Sequence, residues 1–220
     1  MLIQSWDASR DPFEWRRWLD STETFGALVV NNIDPTHAPP VVPTHFTLTD
    51  DELLLHLARN NPIWPHLEAA AEVRLAIAGD YAYIPGYWRA LHDRPAEHGV
   101  PTTYYAAVQF RCRPHVVDDP AGKAEILTAQ LHDLQPEGRH APVDTHDSPY
   151  ARMLAGIRGL RLHVLEIDAK FKYDDQKPVE HRERVSDELA RRNQRLDARA
   201  AAQQRRRLAD ADPSHPEPAP

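Results

Sequence analysis

Twenty prolines stand among the 220 residues, against only eight glycines. Each proline fixes its own φ and withdraws a backbone donor, so it suits first turns of helices, sheet edges and connections. A chain interrupted this often folds from short elements joined by short turns. The apolar segments between the breaks are short as well, and several alternate or carry β-branched residues, as half-buried strands do. Strands are expected over residues 25–30, 41–48, 52–57, 73–78 with continuation at 81–84 after a bend at Gly79-Asp80, 104–117, and from 160 to 167 or beyond. Helices are expected over 12–21, 62–71, 120–134 and about 149–157, with loops over 85–101 and 136–147. Strands first, with helices at the edges and end, give an α+β fold built on an antiparallel barrel. The domain reading is a barrel over residues 1–178, a charged C-terminal helix over 179–208 and a disordered Pro-rich tail over 209–220.

Charge narrows the partners. Residues 1–179 hold 17 Lys/Arg against 25 Asp/Glu, whereas residues 180–220 hold 9 against 8. An acidic body lacks the cations that non-specific nucleic-acid binding needs along the phosphates. The run Arg205-Arg206-Arg207 reads as a solvated helix end. No stretch reaches the roughly 20 apolar residues that span a bilayer, so neither nucleic acid nor membrane is an expected partner. The start, Met1-Leu2-Ile3-Gln4-Ser5-Trp6-Asp7, lacks a basic segment followed by an apolar one, and a cytoplasmic location is expected. Cys112 is the single cysteine, which excludes an internal disulfide, a thiolate zinc site and a CxxCH haem attachment. Thirteen histidines keep a metal or haem ligand open.

The GxGxxG, Walker, HExxH and GxSxG signatures are absent. Other segments occur in a telling order: Phe25-Gly26-Ala27-Leu28-Val29, then Thr44-His45-Phe46, then His56-Leu57-Ala58-Arg59-Asn60-Asn61-Pro62-Ile63-Trp64. Ala82-Tyr83-Ile84-Pro85-Gly86-Tyr87-Trp88 and Val100-Pro101-Thr102 follow. Together they resemble the PaiB-like family of FMN-binding split barrels over roughly residues 1–195. The resemblance implies a six-stranded antiparallel split β-barrel with peripheral helices and a C-terminal helix. It also implies a homodimer with its cofactor cleft at the subunit interface.

The chain departs from that family where flavin contacts would lie. Val-Pro-Thr-Trp-Asn-Tyr becomes Val100-Pro101-Thr102-Thr103-Tyr104-Tyr105, and Lys-x-Lys-Leu-Ser-Gln-Asn becomes Lys170-Phe171-Lys172-Tyr173-Asp174-Asp175-Gln176. Two carboxylates near a phosphate would repel it. Pro85 stands where the family has a serine donor. The Tyr-Ile-Pro and Thr-Tyr-Tyr variants are similar to the haem-dependent piperazate synthase branch of the superfamily. That branch implies intramolecular N–N bond formation in N5-hydroxy-L-ornithine, giving L-piperazate and water for nonribosomal peptide antibiotics. Its cofactor would be haem b, with FMN as the alternative. Alternative functions are an FMN-binding flavoprotein or a PaiB-type transcriptional regulator, the latter without a visible helix-turn-helix.

Each candidate residue has a plain structural reading beside its functional one. His56 is either a packed histidine or the axial haem ligand, and it is the metal candidate. His45, Arg59 and Asn61 join it as cofactor-binding candidates; His66 reads as a surface residue. Tyr83, Tyr104 and Tyr105 are barrel aromatics or catalytic phenols. Alternation sends one of Tyr104 and Tyr105 inward. Asp174 and Asp175 form a solvated turn or hold a substrate ammonium group.

Overall fold

The computed structural model describes residues 1–22, 24–91, 94–146 and 149–210. Seven strands carry the fold: β1 (Phe25–Val29), β2 (Val41–His45), β3 (Thr47–Leu48), β4 (Glu52–Ala58), β5 (Val73–Ile84), β6 (Thr102–Val117) and β7 (Ile157–Lys172). They form one sheet in the order β2-β1-β5-β6-β7-β4-β3, and the pairs β1/β2, β1/β5, β3/β4 and β4/β7 are antiparallel. The α+β class is as expected. The six-stranded split barrel is corrected to seven strands in an open order, with β2 and β3 at its ends among the described residues. The extra strand arises at Phe46, inside the segment expected as one strand over 41–48. Its side chain is wholly buried against Phe110 and its amide donates to Thr24. Residues before Phe46 pair with β1, and those after it pair with β4.

Helices α1 (Glu14–Asp20), α2 (Trp64–Ala69), α4 (Pro120–Leu134) and α5 (Pro149–Ala155) fall where helices were expected. A short helix α3 (Gly86–Arg89) lies in the segment read as loop. The charged stretch expected as one helix over 179–208 is two, α6 (Val179–Arg192) and α7 (Asp197–Ala209). Asn193 and Arg195 adopt left-handed backbone between them, and Asn193 donates to Leu189 as a helix stop. From residue 211 on, the tail lies outside the described residues. No helix among the described residues is long and apolar enough to cross a membrane.

The chain divides into two compact units. One contains residues 23–77 and 109–167. Here β4 is buried on both faces, which explains its nearly unbroken apolar run. Leu53, Leu55 and Leu57 face one way; Leu54 on the other face packs with Val117 of β6 and Ile126 of α4. Gly159 permits this close approach, since a Cβ there would meet Ile126 at 2.6 Å.

The other unit contains Met1–Thr22, Ala78–Val108 and the chain from Asp168 onward. Asp80 takes a left-handed φ of 48° within β5, and the buried positions switch from 73, 75 and 77 to 80, 82 and 84. The bend expected at Gly79-Asp80 is thus a left-handed residue within one continuous strand. Trp18 Nε1 donates to the Asp80 carboxylate at 2.8 Å, and Tyr173 donates to its carbonyl at 2.9 Å.

Asp174 and Asp175 correct the sequence reading most sharply. They are neither a solvated turn nor free to hold an ammonium group. Asp174 is 3% exposed and accepts two hydrogen bonds from Arg89. Asp175 takes Arg10, Arg182 and Arg207 at 2.7–2.8 Å. Arg207, in the run read as a solvated helix end, is 1% exposed and also pairs with Glu14. Removing one partner from a buried pair costs about 3–5 kcal/mol, whereas an exposed pair contributes about 0–1 kcal/mol. Asp175→Asn should therefore lower unfolding stability in urea by about 3–5 kcal/mol, and Glu68→Gln, which breaks a surface pair with Arg158, by less than about 1 kcal/mol.

His181 on α6 gives this unit an acid sensitivity. It is buried, its Nε2 lacks a hydrogen bond and lies 3.9 Å from the Asp174 carboxylate, and Arg184 reaches its Nδ1. Burial lowers its pKa to about 4; Asp174 opposes this, while Arg184, Arg89 and Lys177 reinforce it. The unfolded chain then binds the proton more readily than the folded one at any pH between about 6.5 and 4. Stability should fall as pH drops through that window, and His181→Gln should show a smaller drop in urea midpoint between neutral and mildly acidic pH.

Candidate functional site

A cavity of about 330 Å³ is lined by Thr44 and His45 of β2, His56 of β4, and Leu127, Gln130, Leu131, Leu134 and Gln135 of α4 and its end. Helix and strand periodicity bring its key pair together. Asp119 caps α4 by accepting from the Gly122 amide, and Pro120 opens the first turn. Lys123, Ile126 and Gln130 are then the buried positions of the helix. From Ile126 to Gln130 the helix rises about 6 Å, and from Leu54 to His56 the strand rises about 6.7 Å. Two contacts thus fall in step: Ile126 on Leu54, and Gln130 on His56, with Oε1 of Gln130 2.6 Å from Nδ1 of His56. The strand residue opposite His56 is Gly159, so β7 adds no side chain beside the ring.

Leu127, Leu131 and Leu134 repeat at helical spacing along the adjoining stripe of α4 and form the cavity's apolar wall. His45 stands at the exposed side, its ring 4.8 Å from that of Phe25, its cross-strand neighbour. The two histidines proposed from sequence therefore share one cavity.

Arg59 and Asn61 are placed differently. Arg59 donates from Nε to the Ala155 carbonyl and from its amide to Gly156, tying the end of β4 to the end of α5. Asn61 accepts from the Ile63 amide through its side chain. Trp64 Nε1 returns to the Ala58 carbonyl at 2.8 Å, and Arg158 stacks over the indole at 4.8 Å. Much of the His-to-Trp motif thus shapes the strand-to-helix turn. His66 accepts from the Ile33 amide at the surface.

The tyrosines do not line this cavity. Tyr104 is wholly buried; its hydroxyl donates to Asp174 and accepts from Gln204, each at 3.1 Å. Burial, then Asp174, raises its pKa, so the phenol is a structural donor. Tyr105 points the other way, as alternation requires, and its half-buried ring lies 5.7 Å from Lys170 Nζ and 6.0 Å from Lys172 Nζ. Tyr83 is exposed. Cys112 is buried, its thiol pKa pushed up to about 12 by burial.

The sequence profile of a family described as "Putative FMN-binding domain" matches residues 1–166. The chain belongs to that family. No curated protein matches it by sequence. Among solved structures, it is similar to the flavocytochrome Anf3 from Azotobacter vinelandii, at 20% identity and a TM-score of 0.57, covering 77% of this chain and 72% of that one. It is similar to the FAD and heme binding protein from Mycobacterium smegmatis, at 16% identity and a TM-score of 0.56, covering 74% and 72%. A "putative 5-nitroimidazole antibiotic resistance protein" from Bacteroides thetaiotaomicron matches at 13% identity and a TM-score of 0.54, covering 74% and 84%. These likenesses support the fold.

Within this FMN-binding family, the donor set around His56 also fits an iron porphyrin. One imidazole faces the cavity with its Nδ1 engaged, beside a leucine wall. No cluster of three His, Cys, Asp or Glu side chains among the described residues is arranged to hold a bare metal ion. Gln130 was not singled out in the sequence. Its signal there is a polar residue four positions after Ile126 on the buried face of a helix.

Proposed function

We propose that this chain is a haem-dependent enzyme of the FMN-binding split-barrel family. Its reaction is intramolecular N–N bond formation in N5-hydroxy-L-ornithine, giving L-piperazate and water for nonribosomal peptide antibiotics. The carrying observation is His56, a half-buried imidazole held by Gln130 at a leucine-walled cavity. The Tyr-Ile-Pro and Thr-Tyr-Tyr segments, similar to the piperazate synthase branch, add to it. So do the descriptions of two similar structures, a flavocytochrome and an FAD and heme binding protein.

Haem b would be held by His56 and would supply a Lewis-acidic iron that improves the hydroxylamine oxygen as a leaving group. The chain supplies the rest. Leu127, Leu131 and Leu134 keep water from one side of the cavity, which strengthens polar interactions inside it. Thr44 and His45 offer polar groups to the amino-acid head. Overall, a bond forms between the α-amino nitrogen and N5, the N–O bond breaks, and an amine proton leaves with the hydroxyl as water. No external oxidant or reductant is needed. At about 330 Å³ the cavity lies at the lower end of the roughly 300–1,000 Å³ of small-molecule sites. A porphyrin would need more enclosure than this cavity gives, and we assign the remainder to a second copy in a homodimer.

FMN is the second reading, favoured by the family match over residues 1–166. Lys170 and Lys172 beside Tyr105 place two cations on one ring. Repulsion of a phosphate by Asp174 and Asp175, expected from sequence, is offset by their arginine partners.

Hemin-loaded protein should convert N5-hydroxy-L-ornithine to piperazate, followed by mass spectrometry. Losing an outer-shell partner costs a metal site roughly 10–100-fold, so His56→Ala should lose more than roughly 100-fold in turnover and most of its haem. Full turnover in His56→Ala would exclude His56 as the ligand, and no turnover by hemin-loaded wild type would exclude the reaction.

A further inference from the structure

We propose that Gln130 is a positioning residue that fixes the tautomer of His56 and tunes its strength as a ligand; the tuning rests on the haem reading above. The amide oxygen Oε1 carries no hydrogen, so the proton in its 2.6 Å contact belongs to Nδ1 of His56. A neutral ring protonated at Nδ1 has its lone pair on Nε2. Gln130 is 5% exposed, and its position is set by the packing of Ile126, one turn earlier, on Leu54 and Val117. His56 therefore presents a fixed lone pair rather than a rotating ring.

The choice of an amide also has a chemical consequence. An acceptor on the far ring nitrogen raises the basicity of a ligand histidine. Hydrogen bonds to an ionised group are roughly twice as strong as neutral ones, so a carboxylate here would push more electron density to the iron. The neutral amide holds the ring with less donation, which leaves the metal more electron-poor. That suits a redox-neutral reaction in which the metal acts as a Lewis acid.

The test begins with ligand-free protein, in which heteronuclear NMR of the His56 ring reads the tautomer directly. Wild type should show the Nδ1–H form. Gln130→Leu should lose this preference and bind hemin roughly 10–100-fold more weakly. Gln130→Glu keeps an acceptor, so it should retain the tautomer and bind hemin well, with a reduction potential below that of wild type. An Nε2–H ring in wild type would overturn the role of Gln130, as would unchanged hemin affinity and tautomer in Gln130→Leu. The tautomer is measured without hemin, so the failures separate. Wild type with the Nδ1–H ring that takes up no hemin overturns the haem reading and the tuning with it. Tight hemin binding through His56 with the wrong tautomer overturns the Gln130 role alone.

Discussion

Burying a polar or charged side chain obliges a fold to supply its partner, and that obligation organises each unit of this chain. In the unit that includes the C-terminal helices, Asp174 and Asp175 lie just past the end of β7, after Tyr173, and their side chains are almost wholly enclosed. Their guanidinium partners come from the N-terminal segment (Arg10), from α3 (Arg89), from α6 (Arg182) and from α7 (Arg207). One pair of adjacent carboxylates thereby gathers four segments that are remote in sequence. In the other unit the buried Gln130 holds the half-buried His56, joining α4 to β4.

Those two cases differ in what they make possible. The arginine cluster is densely paired, with Arg207 also bound to Glu14 and to the carbonyls of Trp6 and Ala8. Its two carboxylates are held by guanidinium groups of the chain itself, and it reads as architecture. The His56 pair engages one ring nitrogen and leaves the imidazole at a cavity. A polar group placed beside an apolar wall, with its orientation fixed from behind, is how a protein prepares a ligand position.

Local patterns made most elements legible. Alternation in Val73–Ile77 and the apolar run in β4 marked strands, and Pro120 marked the start of α4. Interactions between distant residues were not legible. Phe46 interrupts a segment of good strand propensity because burial against Phe110 and a bond to Thr24 outweigh local preference. Asp174-Asp175 looks like a solvated turn until four arginines, one of them 165 residues away, are brought to it. The family resemblance pointed to His45 and His56, which line one cavity, whereas Arg59 and Asn61 make their contacts in the turn that the same motif builds. Gln130 was hidden because nothing in one helix's sequence says which histidine a neighbouring strand will present.

Family membership supports flavin whereas the proposed function needs haem, and the absorption spectrum of the protein as purified decides between them most directly. A haem enzyme with His56 as its ligand shows a Soret band at near-stoichiometric intensity. A flavin envelope with no Soret band, in protein that also fails to take up added hemin, would contradict the central claim.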